Sequence, residues 1–258
     1  MILGIDVSKW QDDNSTPQHM DFTKAKAQGA EYVFIKASER LGSDADYAWN
    51  WKAAKDAGLL RGAYHFLRWD VSGLMQARYF CNDVMGGDFG ELPPVADFEA
   101  PPKYSSSTVV SHWPSNSLLF QFLEEVENIS GKRPIIYTSP GFWSSYGKIK
   151  NTSTYDQKWA YYPLWIANYG VADPLIPKPW TTFTFWQYSA TGDGIKFGAE
   201  SKGLDMNWFN GDLLALYAFA GIGEITPPPD DDIEQPPTDT AIRLAKVENW
   251  ARGIGYKG

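Results

Sequence analysis

The sequence is short of several residues that most readily declare a protein's chemistry. Its one cysteine, Cys81, excludes a disulfide within the chain. Its three histidines, His19, His65 and His112, are scattered, and with a single cysteine they make no zinc pattern. No apolar run is long enough to cross a membrane, which argues against membrane insertion. Positive charge is scarce too: the formal net charge is −8 and no basic stretch offsets it, so nucleic acid is a poor partner. The opening MILGIDVSKW has no basic region leading into an apolar one, as a signal peptide would. The expectation is a protein made in the cytoplasm that stays there until something else releases it.

What the chain has in plenty is aromatic surface, with 12 Trp, 14 Tyr and 14 Phe. Such rings fill cores and also stack on sugars. At 258 residues the chain suffices for one large barrel-type domain or two small ones. Residues 1–212 read as one folded unit. The region 213–240 turns acidic and Pro-rich, a composition that builds no core and suits a semi-extended linker. Residues 241–258 carry a loosely helical apolar pattern too short to fold alone. They read as a docking helix, the start of a further module, or a disordered tail.

Within 1–212, strand-like apolar runs alternate with helix-like ones. The runs are ILGIDVS, YVFIKAS, RGAYHFL, PPVADFE, PIIYTS, PLWIANY, TFTFWQYS and GLDMNWF. Helices are expected at 21–29, 45–57, 73–86 and 115–130, with Gly29, Gly58 and Gly131 as stops. Later connections are short and Pro-rich, so late helices should be reduced or absent. Runs apolar on both faces suit a parallel sheet covered by helices. About eight of them predict an α/β fold, a single irregular β/α barrel, with a doubly wound open sheet as the alternative. The strand ends carry Asp6, Lys36, Tyr64, Asp97, Tyr137, Asn168 and Gln187. In a β/α barrel such ends converge on one mouth. Asp205 stands nearer the start of its run.

The sharpest signal is VADFEA at 95–100. Residues two apart on a strand share a face, about 6.5–7 Å apart, so Asp97 and Glu99 both point toward the barrel interior or its mouth. Two buried like charges repel, and at least one should hold its proton to higher pH. A protonated Glu can donate to a leaving oxygen, while an ionised partner stabilises an oxocarbenium-like centre or attacks it. On spacing alone the pair serves equally as a salt-bridged or solvated turn.

Further stretches appear in order beside it: GIDVSKWQ at 4–11, FIKASE at 34–39, GAYHF at 62–66, PIIYTS at 134–139, PLWIANYG at 163–170, FWQYS at 185–189 and GLDMNWFNG at 203–211. Together they resemble the glycoside hydrolase family 25 lysozymes, the Chalaropsis-type N-acetylmuramidases common among phage endolysins. The resemblance spans residues 1 to about 212. It implies an irregular TIM-like barrel acting on bacterial peptidoglycan, at the β-1,4 bond from N-acetylmuramic acid to N-acetylglucosamine. By that resemblance Glu99 is the general acid. Asp97 is its partner, as nucleophile or by orienting the substrate's 2-acetamido group. Asp6 and Asp205 line the site, and Tyr64 sits near the scissile sugar.

Trp10, Tyr137, Trp165 and Trp186 could stack on sugars, although any one of them is more often core. Trp143 and Tyr169 could stack in the same way, and each is likewise more often core. Asn168 and Gln187 could bond to sugar hydroxyls or acetamido groups. His65, next to Tyr64, should face away from the mouth as a buried structural histidine. The chemistry needs no metal and no cofactor. Two other readings stay open: an N-acetylglucosaminidase or chitinase-like hydrolase, and a non-catalytic wall-binding barrel.

Overall fold

The structure, a computed structural model, describes residues 1–13, 15–100, 116–149 and 152–222. The expected linker from 223 onward, the C-terminal segment 241–258 and the stretch 101–115 lie outside the described residues.

Among the described residues nine strands form one sheet: β1 (Ile2–Val7), β2 (Tyr32–Glu39), β3 (Gly42–Ser43), β4 (Leu60–Phe66), β5 (Val95–Asp97), β6 (Ile135–Thr138), β7 (Leu164–Ala167), β8 (Phe185–Asp193) and β9 (Gly203–Phe209). The order is β1-β9-β8-β7-β6-β5-β4-β2-β3, and β1 also pairs with β2, which closes eight strands into a barrel. The short β3 is a hairpin return on β2 outside the ring. Pairing is parallel from β1 through β2 and around to β8. The last strand breaks this pattern: β9 runs antiparallel to both β8 and β1. The barrel is therefore mixed, where apolar runs alone suggest a parallel sheet. β8 and β9 are joined by a hairpin rather than a helical crossover.

The helices are α1 (Phe22–Ala27), α2 (Tyr47–Asp56), α3 (Gly73–Arg78), α4 (Asn116–Ser130), α5 (Pro140–Tyr146) and α6 (Leu213–Phe219), and α3 runs on into a π-helical turn, Tyr79–Val84. Side chains at the starts supply the caps that unpaired backbone N–H groups need, Asp21 for α1, Ser72 for α3, Ser139 for α5 and Asp212 for α6. Of the late connections, α5 at 7 residues is no shorter than α1 or α3 at 6, but among the described residues β7 connects to β8 without a helix.

Two apolar clusters follow from strand alternation. Ile5, Val33, Ile35, Ala63, Ala96, Ile136 and Ile166 face outward and pack under the helices. Tyr32, Phe34, Val95, Ile135, Trp165, Phe185 and Phe209 fill the barrel itself. Inside, Phe34 stacks on Trp165 at 4.4 Å and meets Phe185 edge-on at 5.0 Å. These rings fit because the neighbouring strands carry glycine at the paired positions, Gly4 beside Tyr32 and Gly62 beside Phe34. A Cβ on Gly4 would lie 2.2 Å from the Tyr32 ring, and one on Gly62 would lie 2.4 Å from Phe34.

The helix α6 lies in the stretch that composition assigns to the linker region. Leu213, Leu216 and Ala220 join the interior cluster, and Phe219 packs on Phe185 and Phe209. Phe185 opens β8 and Phe209 closes the antiparallel β9, so α6 covers the end of the barrel away from the mouth. The compact unit accordingly extends to Ile222.

Candidate active site

The cleft at the mouth is built from strand ends. Asp6, Tyr64, Asp97, Glu99, Tyr137, Trp165, Tyr169, Gln187 and Asp205 line a cavity of about 200 Å³. Asp6, Asp97, Tyr64 and Tyr137 stand on the closing residues of their parallel strands. Asp205 stands near the opening of its own strand and still reaches the same mouth, because β9 runs the other way. It is the direct ladder partner of Asp6.

β5 is short for a reason visible in its sequence. Pro93 and Pro94 precede it and have no N–H to give. The Pro94 carbonyl still accepts from Ile135 N–H at 2.9 Å, which keeps the register. Past the strand, Phe98 N–H donates to the Tyr137 carbonyl at 2.9 Å. Phe98 turns its ring outward onto Phe142 and Trp143. Glu99 follows at the cleft, half-buried.

All four carboxyls hold their protons above the ordinary range. Burial is the main cause at each. Glu99 is pushed to about 7 by burial, with Lys36 pulling down and Asp205 pushing up. Asp205 is pushed to about 6. Asp97 is raised by burial and by Glu99, against Lys36. Its Oδ1 is buried with no hydrogen-bond partner among the described residues. Lys36 is held by Glu39 at 2.8 Å, and Arg68 takes the other oxygen of Glu39 at 3.0 Å.

Asp6 is held differently. Its Oδ2 accepts from Gln187 Nε2 at 2.8 Å and from Asn207 Nδ2 at 2.7 Å. The Tyr137 hydroxyl donates to Gln187 Oε1 at 2.8 Å, and the Tyr169 hydroxyl donates to the same oxygen. Trp165 Nε1–H donates to Asn207 Oδ1 at 2.8 Å. Asn207 belongs to the GLDMNWFNG stretch and lies two residues from Asp205 on the same strand face, the spacing that could have marked it as a member of the cleft network.

Four expected sugar contacts fall outside the cavity lining. Trp186 alternates with Gln187, so when Gln187 faces in, the indole faces out. It is buried beneath the outer layer and donates to the Asn168 carbonyl at 2.8 Å. The Asn168 side chain accepts from Leu175 N–H at 2.9 Å and fixes the loop after β7. Trp10 is 72% exposed on the helical turn after β1, with the Lys9 ammonium 5.1 Å from its ring. Trp143 is fully buried core. His65 is a buried structural histidine, bonded to Ser38 at 2.8 Å and Gln76 at 3.1 Å, and burial lowers its pKa to about 4. Among the described residues no group of three or more His, Cys, Asp or Glu could hold a metal ion.

Acidic groups gathered at one barrel mouth, with one carboxyl near neutrality, are the equipment of a glycoside hydrolase. The family model "Glycosyl hydrolases family 25" matches residues 5–195. Lysozyme M1 of Streptomyces globisporus is 33% identical over 223 residues, 85% of this chain and 71% of that protein. The N,O-diacetylmuramidase of Chalaropsis sp is 28% identical over 227 residues, 85% of this chain and 99% of that one. Among solved structures, the bacterial lysozyme from Streptomyces coelicolor superposes with a TM-score of 0.70 at 31% identity, over 86% of this chain and 97% of that chain. The chain belongs to glycosyl hydrolase family 25 and is a glycoside hydrolase of the lysozyme type.

Proposed function

We propose that this enzyme is an N-acetylmuramidase that cleaves the β-1,4 bond between N-acetylmuramic acid and N-acetylglucosamine in peptidoglycan. Glu99 gives its proton to the glycosidic oxygen as the bond breaks. Asp97 answers the positive charge that develops at the anomeric carbon. It does so as nucleophile, or by holding the substrate's 2-acetamido group so that its carbonyl oxygen attacks. The observation that carries this reading is the pairing in one cleft of Glu99, whose carboxyl titrates near neutrality, with Asp97, whose buried Oδ1 has no partner among the described residues. A proton donor needs the first property, and a group waiting for substrate has the second.

Product analysis tests it. Purified peptidoglycan is digested with wild type and with Glu99→Gln, the new ends are reduced with borohydride, and the reduced sugar is identified by mass spectrometry. Reduced N-acetylmuramic acid from the wild type, with at least about a hundredfold less from a folded Glu99→Gln, is the expected result. Reduced N-acetylglucosamine would point to a glucosaminidase instead. Wild-type-like turnover by Glu99→Gln would sink the assignment of the acid.

The substrate lies beyond the cell membrane. We propose an endolysin-like setting, in which enzyme made in the cytoplasm is released to the wall and lyses the cell. Among the described residues no helix is long and apolar enough to cross a membrane. Induced expression with and without a membrane-permeabilising agent checks this, with lysis expected only when both are present.

A further inference from the structure

Gln187 and Trp165 line the cleft, yet their polar atoms are already spent on the protein. Both ends of the Gln187 amide are engaged, one by two phenols and the other by Asp6. The Trp165 indole N–H is given to Asn207. Gln187 is 3% exposed and Asn207 is fully buried.

The chemistry of these donors fixes every orientation. An indole N–H can only donate, so Asn207 must turn its oxygen to Trp165 and its NH2 to Asp6. An ionised Asp6 can only accept, so Gln187 turns its NH2 to Asp6 and its oxygen to the two hydroxyls, which donate to it. Asp6 Oδ2 thus receives two N–H groups from amides that have no freedom to flip. Strand register builds the arrangement. Gln187 and Asn207 are ladder partners on β8 and β9, and Gly4 is the ladder partner of Asn207 on β1.

We infer that Gln187 and Asn207 are positioning residues that clamp one oxygen of Asp6, so that Asp6 offers only Oδ1 to the cleft and to Asp205. With Oδ2 committed as a double acceptor, a proton taken by Asp6 sits on Oδ1. The carboxyl keeps one rotamer whether or not it is protonated. The mouth then has a fixed donor or acceptor at one place, opposite a half-buried Asp205 that is not held in this way. This rests on the glycosidase reading of the cleft and adds to it the means by which the third carboxyl is aimed.

The charged groups facing Asp6 are Asp205 and Glu99, with Asp97 beside them; Tyr32, Tyr64, Tyr137 and Tyr169 are the phenols within its field. Lys36 bears on Asp97 and Glu99. The amide donors favour ionised Asp6, so their removal moves its titration to higher pH.

Gln187→Met removes the donor without adding charge. Gln187→Glu and Asn207→Asp keep size, and they keep an acceptor for the phenols and the indole. Two measurements are made on each: kcat and KM on solubilised peptidoglycan, and titration of the Asp6 carboxyl carbon by 13C NMR, assigned with Asp6→Asn. All three variants should lose about tenfold or more in kcat with KM within about twofold. All three should also move the Asp6 midpoint upward. Wild-type kcat with an unmoved Asp6 midpoint would overturn the clamp, as would a loss confined to thermal stability. If Gln187→Met does not fold, the two isosteric variants decide by the same kcat and KM split. Failure of the muramidase reading would appear separately, as a wild type that cuts no peptidoglycan, while the Asp6 titration still reads the clamp.

Discussion

Lys36 is the cation set against Asp97 and Glu99, and it is itself shared with Glu39. A nearby positive charge favours the ionised form of a carboxyl, so Lys36 lowers both groups from where burial alone would put them. The proposed mechanism needs Glu99 protonated and Asp97 charged. Activity should therefore fall as pH rises through about 7, where Glu99 loses its proton. In Lys36→Met both groups hold their protons to higher pH, and the whole pH–rate profile should move upward. An unmoved profile would show that Glu39 neutralises the ammonium before the cleft feels it. Glu99 also carries a stability cost. Its folded-state value lies above the ordinary 4.5, so above pH 7 the folded protein holds a charge that the unfolded chain carries more cheaply. Glu99→Gln should be more stable than wild type by about 1–3 kcal/mol at pH 8, and the gain should shrink as pH falls below 7. Urea unfolding at both pH values measures it.

The element that composition hides best is α6. Its sequence, LLALYAF, is apolar enough to read as helix, but the acidic, Pro-rich stretch that follows draws the boundary too early. Its role depends on what it covers, the rings of Phe185 and Phe209, and a linear reading does not show that contact. Leu216 is fully buried there, so Leu216→Ala should cost about 2–5 kcal/mol in thermal or urea unfolding. Activity at low temperature should be little changed, because the mouth is at the other end. The strands were far more legible. Their apolar runs, ended by polar residues, located all eight barrel strands and the cleft members Asp6, Tyr64, Asp97, Tyr137 and Gln187. The direction of β9 was not legible, because apolar alternation reads the same forward and backward. That direction is what brings a strand-opening Asp205 beside a strand-closing Asp6. Trp186 lies outside the cavity lining because it and Gln187 are adjacent and cannot both face inward. Trp10 and Asn168 lie on connections past their strands, where the period that orients strand residues no longer applies.

At the scale of the molecule, the barrel holds two economies in one shell. Its lower interior is packed rings, and in its upper interior Asp6, Gln187, Asn207, Tyr137 and Tyr169 bond to one another, while Asp97 Oδ1 has no partner among the described residues. Among the described residues the outer helices supply no side chain to the cavity lining. Every lining residue comes from a barrel strand or from the turn that immediately follows one. Closure of the ring depends on β1 inserting between β2 and β9, the first of the described strands against the last. The bonds that hold Asp6 span 181 and 201 residues of chain. A ribosome that has delivered everything through β8 has made Asp6, Asp97 and Glu99, yet Asp6 lacks its ladder partner and one of its amides. Fragments ending before Gly203 should cut no peptidoglycan in a coupled translation assay, and activity should appear only once β9 has emerged. For a glycoside hydrolase built this way, the order of synthesis is then a timer: the cleft is completed only when β9, the last of the described strands, leaves the ribosome.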